Sequence, residues 1–246
     1  MKPGASASEA AAAIARLEAL ATPKDLANLQ RFGITSARPL GVSMASIQKV
    51  ARALERNHAL AQALWESGIY EARLLAAYVD DPAHVTVAQM DRWCRDFDSW
   101  GVCDTVCFTL FDRTPHAWRC VDRWAPARAE FVRRASFALM ASLAVHDKKE
   151  LDAVFLARLP LLEAAADDRR DLVRKGVSWA LRTTGRATRR CTAPRSRSPA
   201  GLQHRQTPAR VGSVRTRFAN SPARSSRAYW RADGPRRSAD VRRVSG

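Results

Sequence analysis

Trp100 and Asp104 stand four residues apart in a stretch that reads as helix, so one face of one turn offers an indole beside a carboxylate. Both favour positive charge, the carboxylate by its own charge and the indole by its electron-rich ring face. The pair suits a cationic ligand or a developing cation. The same spacing also fits a core tryptophan and an aspartate paired with an arginine. Arg134 follows thirty residues after Asp104, and Trp179 forty-five beyond that. Stacked helical repeats would bring such offsets to one wall. Trp179 shares its helix face with Leu172 and Gly176, which by itself describes a packing position.

The stretch 91–124 holds four of the seven tryptophans, four of the five cysteines and His116. Cys103 and Cys107 share a helix face, with Cys94, His116 and Cys120 near in sequence. Structural zinc prefers two closely spaced ligand pairs, and no second pair is present. Thiols buried as small apolar groups fit the pattern better. Neither a metal nor a cofactor is expected.

These residues must be carried by helices. Met44, Ile47, Val50, Ala51 and Leu54 recur at helical spacing over 43–56, with Ser43 as N-cap. Segment 58–79 is broken by Gly68, suited to the position just past a helix end. Thr86 with Gln89 resembles a capping box opening a helix through Phe97. Thr114-Pro115 is a second start signal, and helices are predicted over 128–146, 150–166 and 168–182. The fold class is all-α. Helix pairs at intervals of roughly 35–45 residues suggest a HEAT-like solenoid, although spacing alone suits a bundle nearly as well.

Charge divides the chain. The net charge is +17, but residues 183–246 hold sixteen Arg, no Lys and two Asp, so the first 182 residues are only slightly basic. The body is therefore no general polyanion-coating protein, and 183–246 reads as a disordered basic tail. The first ten residues lack the apolar core of a secretory signal, and no run approaches a membrane span. A reduced, cytoplasmic chain is expected from the odd, unpaired cysteines.

Longer strings carry a resemblance. LGVSM at 40–44, RNHALAQALWESGIYEARLLAAYV at 56–79, MDRWCRDFDSWGVCD at 90–104, LFDRTPHAW at 110–118, FVRRASFALMASLAVHDKK at 131–149 and LVRKGVSWALR at 172–182 are similar to the AlkD-type DNA alkylation repair proteins, glycosylases built of HEAT-like repeats. The resemblance covers about 24–182, leaving 1–23 as an Ala-rich extension. It implies excision of N3- or N7-alkylated purines, whose glycosidic bond is weak because the leaving base is already cationic. Asp104 would stabilise the oxocarbenium-like sugar, Trp100 and Trp179 would line the cleft, and Arg134 with Lys175 and Arg182 would hold phosphates. The implied partner is double-stranded DNA with alkylated bases, bound by a monomer without flipping the base into a pocket. A non-catalytic helical-repeat module that binds DNA or protein is the other reading. Gly101 stands where the family commonly has Asp.

The tail departs from that family. Taking the last base of each preceding codon with the first two of the next, Val211–Pro222 permits R-W-V-G-K-D-A-L-R-E-L-T throughout. That string resembles the family's final repeat. The tail is therefore expected to be out of frame from near Thr184–Arg186.

Overall fold

The computed structural model describes residues 3–147 and 152–191, with side chains for 6–147 and 152–186. All described residues belong to one unit, Met1–Pro199. Twelve α-helices and no strand occur among them. They are α1 (Pro3–Glu18), α2 (Pro23–Arg31), α3 (Met44–Arg52), α4 (His58–Glu66), α5 (Tyr70–Val79), α6 (Val87–Arg95), α7 (Trp100–Thr109), α8 (Ala117–Trp124), α9 (Glu130–His146), α10 (Asp152–Leu156), α11 (Leu159–Ala164) and α12 (Asp171–Cys191). A 3-10 helix, Phe111–Arg113, follows α7.

The helices stack in two layers, as HEAT-like repeats do. In one layer α3 meets α5, α5 meets α7, α7 meets α9 and α9 meets α12. On the other side α4 backs α5, α8 backs α9, and α10 and α11 back α12. Aromatic packing knits the backing helices together. Trp65 and Trp93 stack in parallel with centroids 4.0 Å apart, and Phe97 meets Trp65 edge-on. Of the three buried indoles, Trp65 and Trp124 donate to Asp96 (2.9 Å) and Asp91 (2.8 Å), whereas Trp93 Nε1 has no hydrogen-bond partner among the described residues.

Local signals explain most boundaries. Ser43 and Thr86 cap α3 and α6, each accepting a backbone N–H three residues on. Gly68 adopts φ +69° just beyond α4, as a glycine past a helix end should. The motif at 40–44 is held by Glu71, whose buried carboxylate accepts the N–H groups of Leu40, Gly41 and Val42. Gly41 has φ +86°, and a Cβ there would meet Leu26 Cβ at 2.7 Å.

Other boundaries differ from expectation. The Thr86 capping box is half formed, because the Gln89 side chain turns to Asp80 (2.7 Å) instead of to the Thr86 N–H. Thr114 does not open a helix: its hydroxyl donates to Phe111 O at 2.8 Å, and α8 begins at Ala117. The helix predicted over 150–166 is divided into α10 and α11. Pro160 lacks an N–H and crowds the carbonyl of Leu156, where α10 ends. Residues 148–151 lie outside the described residues.

The two ends of the body also shift. Ala10, Ala13 and Leu17 of α1 are buried, and α1 packs on α3, α4 and α5, so much of the Ala-rich extension is part of the fold. Beyond residue 182, α12 continues for nine residues, with Thr183 and Thr184 buried. No proline interrupts it before Pro194. The remainder of the basic tail, 192–246, lies outside the described residues, as does most of the stretch carrying the frame expectation.

Asp168 anchors the start of α12. It accepts Arg170 Nη2 at 2.6 Å and Arg133 Nη1 at 3.0 Å, while Arg170 Nη1 donates to Arg128 O. Hydrogen bonding from Arg170, more than any other cause, holds the Asp168 carboxyl down at about 2, against an ordinary 3.8. A depressed carboxyl stabilises the fold above its unfolded value and stops doing so as pH falls through the folded one. The melting temperature of Asp168→Asn should lie below that of the wild type at pH 6, and the gap should narrow between about pH 4 and 2. A gap that stays constant with pH would assign Asp168 no such role.

Candidate functional site

The site is assembled by three neighbours of one layer, α7, α9 and α12. Ser99 caps α7 and places Trp100 in its first turn. The half-exposed indole donates from Nε1 to Phe32 O at 3.1 Å, which fixes the ring against the end of α2. One turn later Asp104 points at α9 and meets Arg134 in a bidentate pair. Arg134 Nε donates to Oδ1 at 2.9 Å and Nη2 to Oδ2 at 2.7 Å. Arg134 Nη1 donates to Leu172 O at 2.5 Å, in the first turn of α12. One ion pair thus ties all three helices.

The pair is buried: Asp104 is 4% exposed and Arg134 5%. Burial works against charge on Arg134, but attraction to Asp104 and the two hydrogen bonds outweigh it and hold the guanidinium firmly protonated. A fork-to-fork geometry of this kind is among the stronger polar contacts in proteins. The sequence expectation assigned Arg134 to a DNA phosphate. Here its donors are turned to Asp104 and Leu172 instead.

Trp179 is reached from the far side of α9. Gly176, one turn earlier, lies against α9, where a Cβ would stand 3.5 Å from both Arg134 O and Phe137 Cβ. The Trp179 ring lies 6.3 Å from the Phe108 ring at 24°. Phe108 sits four residues after Asp104, so Trp100, Asp104 and Phe108 form one stripe along α7. Sequence reading missed Phe108 and Phe32. The repeated four-residue step could have found the first, whereas nothing local links Phe32 to Trp100. Those gaps at Gly176 are ordinary contact distances, so alanine fits there. Gly176→Ala should raise stability by up to ~1 kcal/mol through helix propensity, measured by urea unfolding. A loss would mean that α12 and α9 approach more closely than this.

Lys175 and Arg182 are exposed on α12, seven residues apart and so on one face. Burial, then repulsion from Arg186, pulls the Arg182 pKa down. Arg182 Nη1 donates to Ser178 Oγ, and the positive charge of Arg186 lies near it. Gly101 lies against the Tyr70 hydroxyl, which a Cβ there would overlap.

The four described cysteines are buried thiols. Cys94, Cys103, Cys107 and Cys120 are free and buried, and burial raises the thiols of Cys94, Cys107 and Cys120, the last to about 12. Cys107 contacts Ala135 O, and Cys120 lies 3.8 Å from Met90 Sδ. Among the described residues no group of His, Cys, Asp and Glu is arranged to hold a metal ion, and no helix is long and apolar enough to cross a membrane.

A family model described as DNA alkylation repair enzyme matches residues 13–193, from α1 to just past α12. The chain belongs to that family. The matched span takes in every site residue and extends beyond the resemblance of about 24–182 by eleven residues at each end. A solved structure of a protein described as belonging to a new family related to the HEAT-like repeat DNA glycosylases, with affinity for branched DNA structures, is similar at a TM-score of 0.63. The two are 18% identical over 72% of this chain and 76% of that one, a likeness of fold. No curated protein matches the chain.

Proposed function

We propose that this protein is a DNA repair glycosylase that hydrolyses the N-glycosidic bond of cationic N3- or N7-alkylated purines. The observation that carries the reading is Asp104, an anion set between Trp100 and the Phe108–Trp179 pair. A cationic purine is already a good leaving group, so the demand on the enzyme falls on the sugar. The departing base leaves positive charge on the deoxyribose ring, which a carboxylate stabilises and aromatic faces tolerate. Lys175, Arg182 and Arg186 supply the phosphate-binding charge. For Asp104 to face a sugar, Arg134 must release it. A DNA phosphate is the natural exchange partner, because the guanidinium fork fits phosphate as well as carboxylate. In this reading Arg134 contacts the backbone and uncovers the carboxylate in one motion.

The closed pair also favours a second reading, a non-catalytic DNA-binding member of the fold. The two separate in one assay. Duplex DNA methylated at guanine N7 is incubated with excess protein, and free base and abasic sites are counted. Release well above the spontaneous rate supports the glycosylase. Binding without release supports the module.

A further inference from the structure

One polar cluster lies beside this site and takes no part in it. His146, in the last turn of α9, is 37% exposed, and its Nδ1 lies 2.5 Å from Oδ2 of Asp112 in the 3-10 helix. The Asp112 carboxylate is fully buried. Its other oxygen, Oδ1, has no hydrogen-bond partner among the described residues. Burial raises the Asp112 pKa, while the hydrogen bond from His146, its charge and that of Arg113 pull it back. The His146 ring meets Phe108 edge-on, with centroids 4.2 Å apart, and Phe108 in turn stacks on Trp179. The imidazole therefore borders the aromatic pair, about one helical turn, ~6 Å, beyond Asp104 along α7.

We propose that His146, oriented by Asp112, is a further binding residue that donates from Nε2 to a phosphate of the DNA strand lying along this face. The inference rests on DNA occupying the site described above. With Asp112 accepting from Nδ1–H, a neutral imidazole offers only a lone pair at Nε2, which repels a phosphate oxygen. A second proton converts Nε2 to a donor and adds a cation. DNA binding at this position therefore takes up a proton, and affinity rises as pH falls through the histidine range. Among the described residues, Asp112 contacts the ring, Arg113 lies near Asp112, and Asp147 follows His146 in sequence. From α7 the ring meets uncharged Phe108, with Trp179 of α12 behind it. Lys148, Lys149 and Glu150 follow in sequence, outside the described residues.

The test is equilibrium binding of the full chain to a short unmodified duplex, titrated over salt at pH 6 and pH 8. Wild type should bind about tenfold more tightly at pH 6, the scale of one charge-assisted hydrogen bond, and its salt slope should be steeper by about one. His146→Gln, whose amide can still bond Asp112, should lose most of both differences, and His146→Lys should bind at both pH values like wild type at pH 6. In wild-type protein, the His146 imidazole followed by NMR should titrate at higher pH with DNA than without, which needs no variant to fold. A Gln variant with undiminished pH response, or an unmoved imidazole titration, would overturn the role of His146 while leaving the DNA-binding reading intact. A wild type that binds no duplex at either pH would overturn both.

Discussion

Arg134→Ala should destabilise the protein by about 3–5 kcal/mol, far more than the loss of a surface phosphate contact. The substitution leaves Asp104 as an unpaired carboxylate with 4% exposure, and an uncompensated buried charge costs on that scale. It also strips the Leu172 carbonyl of its donor and loosens the start of α12. Urea unfolding should show a lower midpoint with an unchanged slope, the signature of altered stability without altered compactness. The companion experiment replaces both partners. Arg134→Met with Asp104→Leu should recover most of the loss, because apolar pairs of similar volume are often as stable as a buried ion pair. Recovery would mean that the pair is kept for what its charges do and not for stability. If Arg134→Ala lost less than ~1 kcal/mol, the guanidinium would be largely solvated in solution and free to bind phosphate without releasing Asp104.

Sequence reading and structure part company at places with a common cause. Ser43, Gly68 and Thr86 were legible because each acts within a few residues of itself, through a cap or a positive φ. Thr114 was misread because its hydroxyl is drawn to a carbonyl already present in the preceding turn, a competition that composition does not reveal. Pro160 was in plain view, and the apolar periodicity on both sides of it concealed the break. Within the candidate site, spacing singles out Trp100 and Asp104, repeat-like offsets add Arg134 and Trp179, and the resemblance assigns their roles. The partner of Asp104 was not specified by any of these. An aspartate that binds a cation and one that pairs with an arginine look alike in sequence, and here the arginine is itself a site residue thirty positions away. The same limit hid Phe32, which joins Trp100 through its backbone carbonyl, a contact no side-chain pattern encodes.

Asp104→Asn should cut release of N7-methylguanine from methylated duplex DNA at least ~100-fold, the scale of removing one well-placed electrostatic group from a developing charge. Asparagine keeps the shape and can still accept from Arg134, but it offers the sugar no negative charge. It also leaves a buried guanidinium with a neutral partner, so the variant will be less stable than wild type. The comparison therefore needs a control of reduced stability with the pair intact. Leu139→Ala serves, because Leu139 is fully buried in α9 and its truncation should cost about 2–5 kcal/mol. Both variants are assayed under single-turnover conditions, well below their melting temperatures, with DNA binding measured beside release. The expected pattern is near-normal binding by both proteins, with release preserved in Leu139→Ala and lost in Asp104→Asn. Equal loss in the two would trace the effect to stability. Release by Asp104→Asn at the wild-type rate would remove the carboxylate from the chemistry and leave the Asp104–Arg134 pair as a brace between α7, α9 and α12.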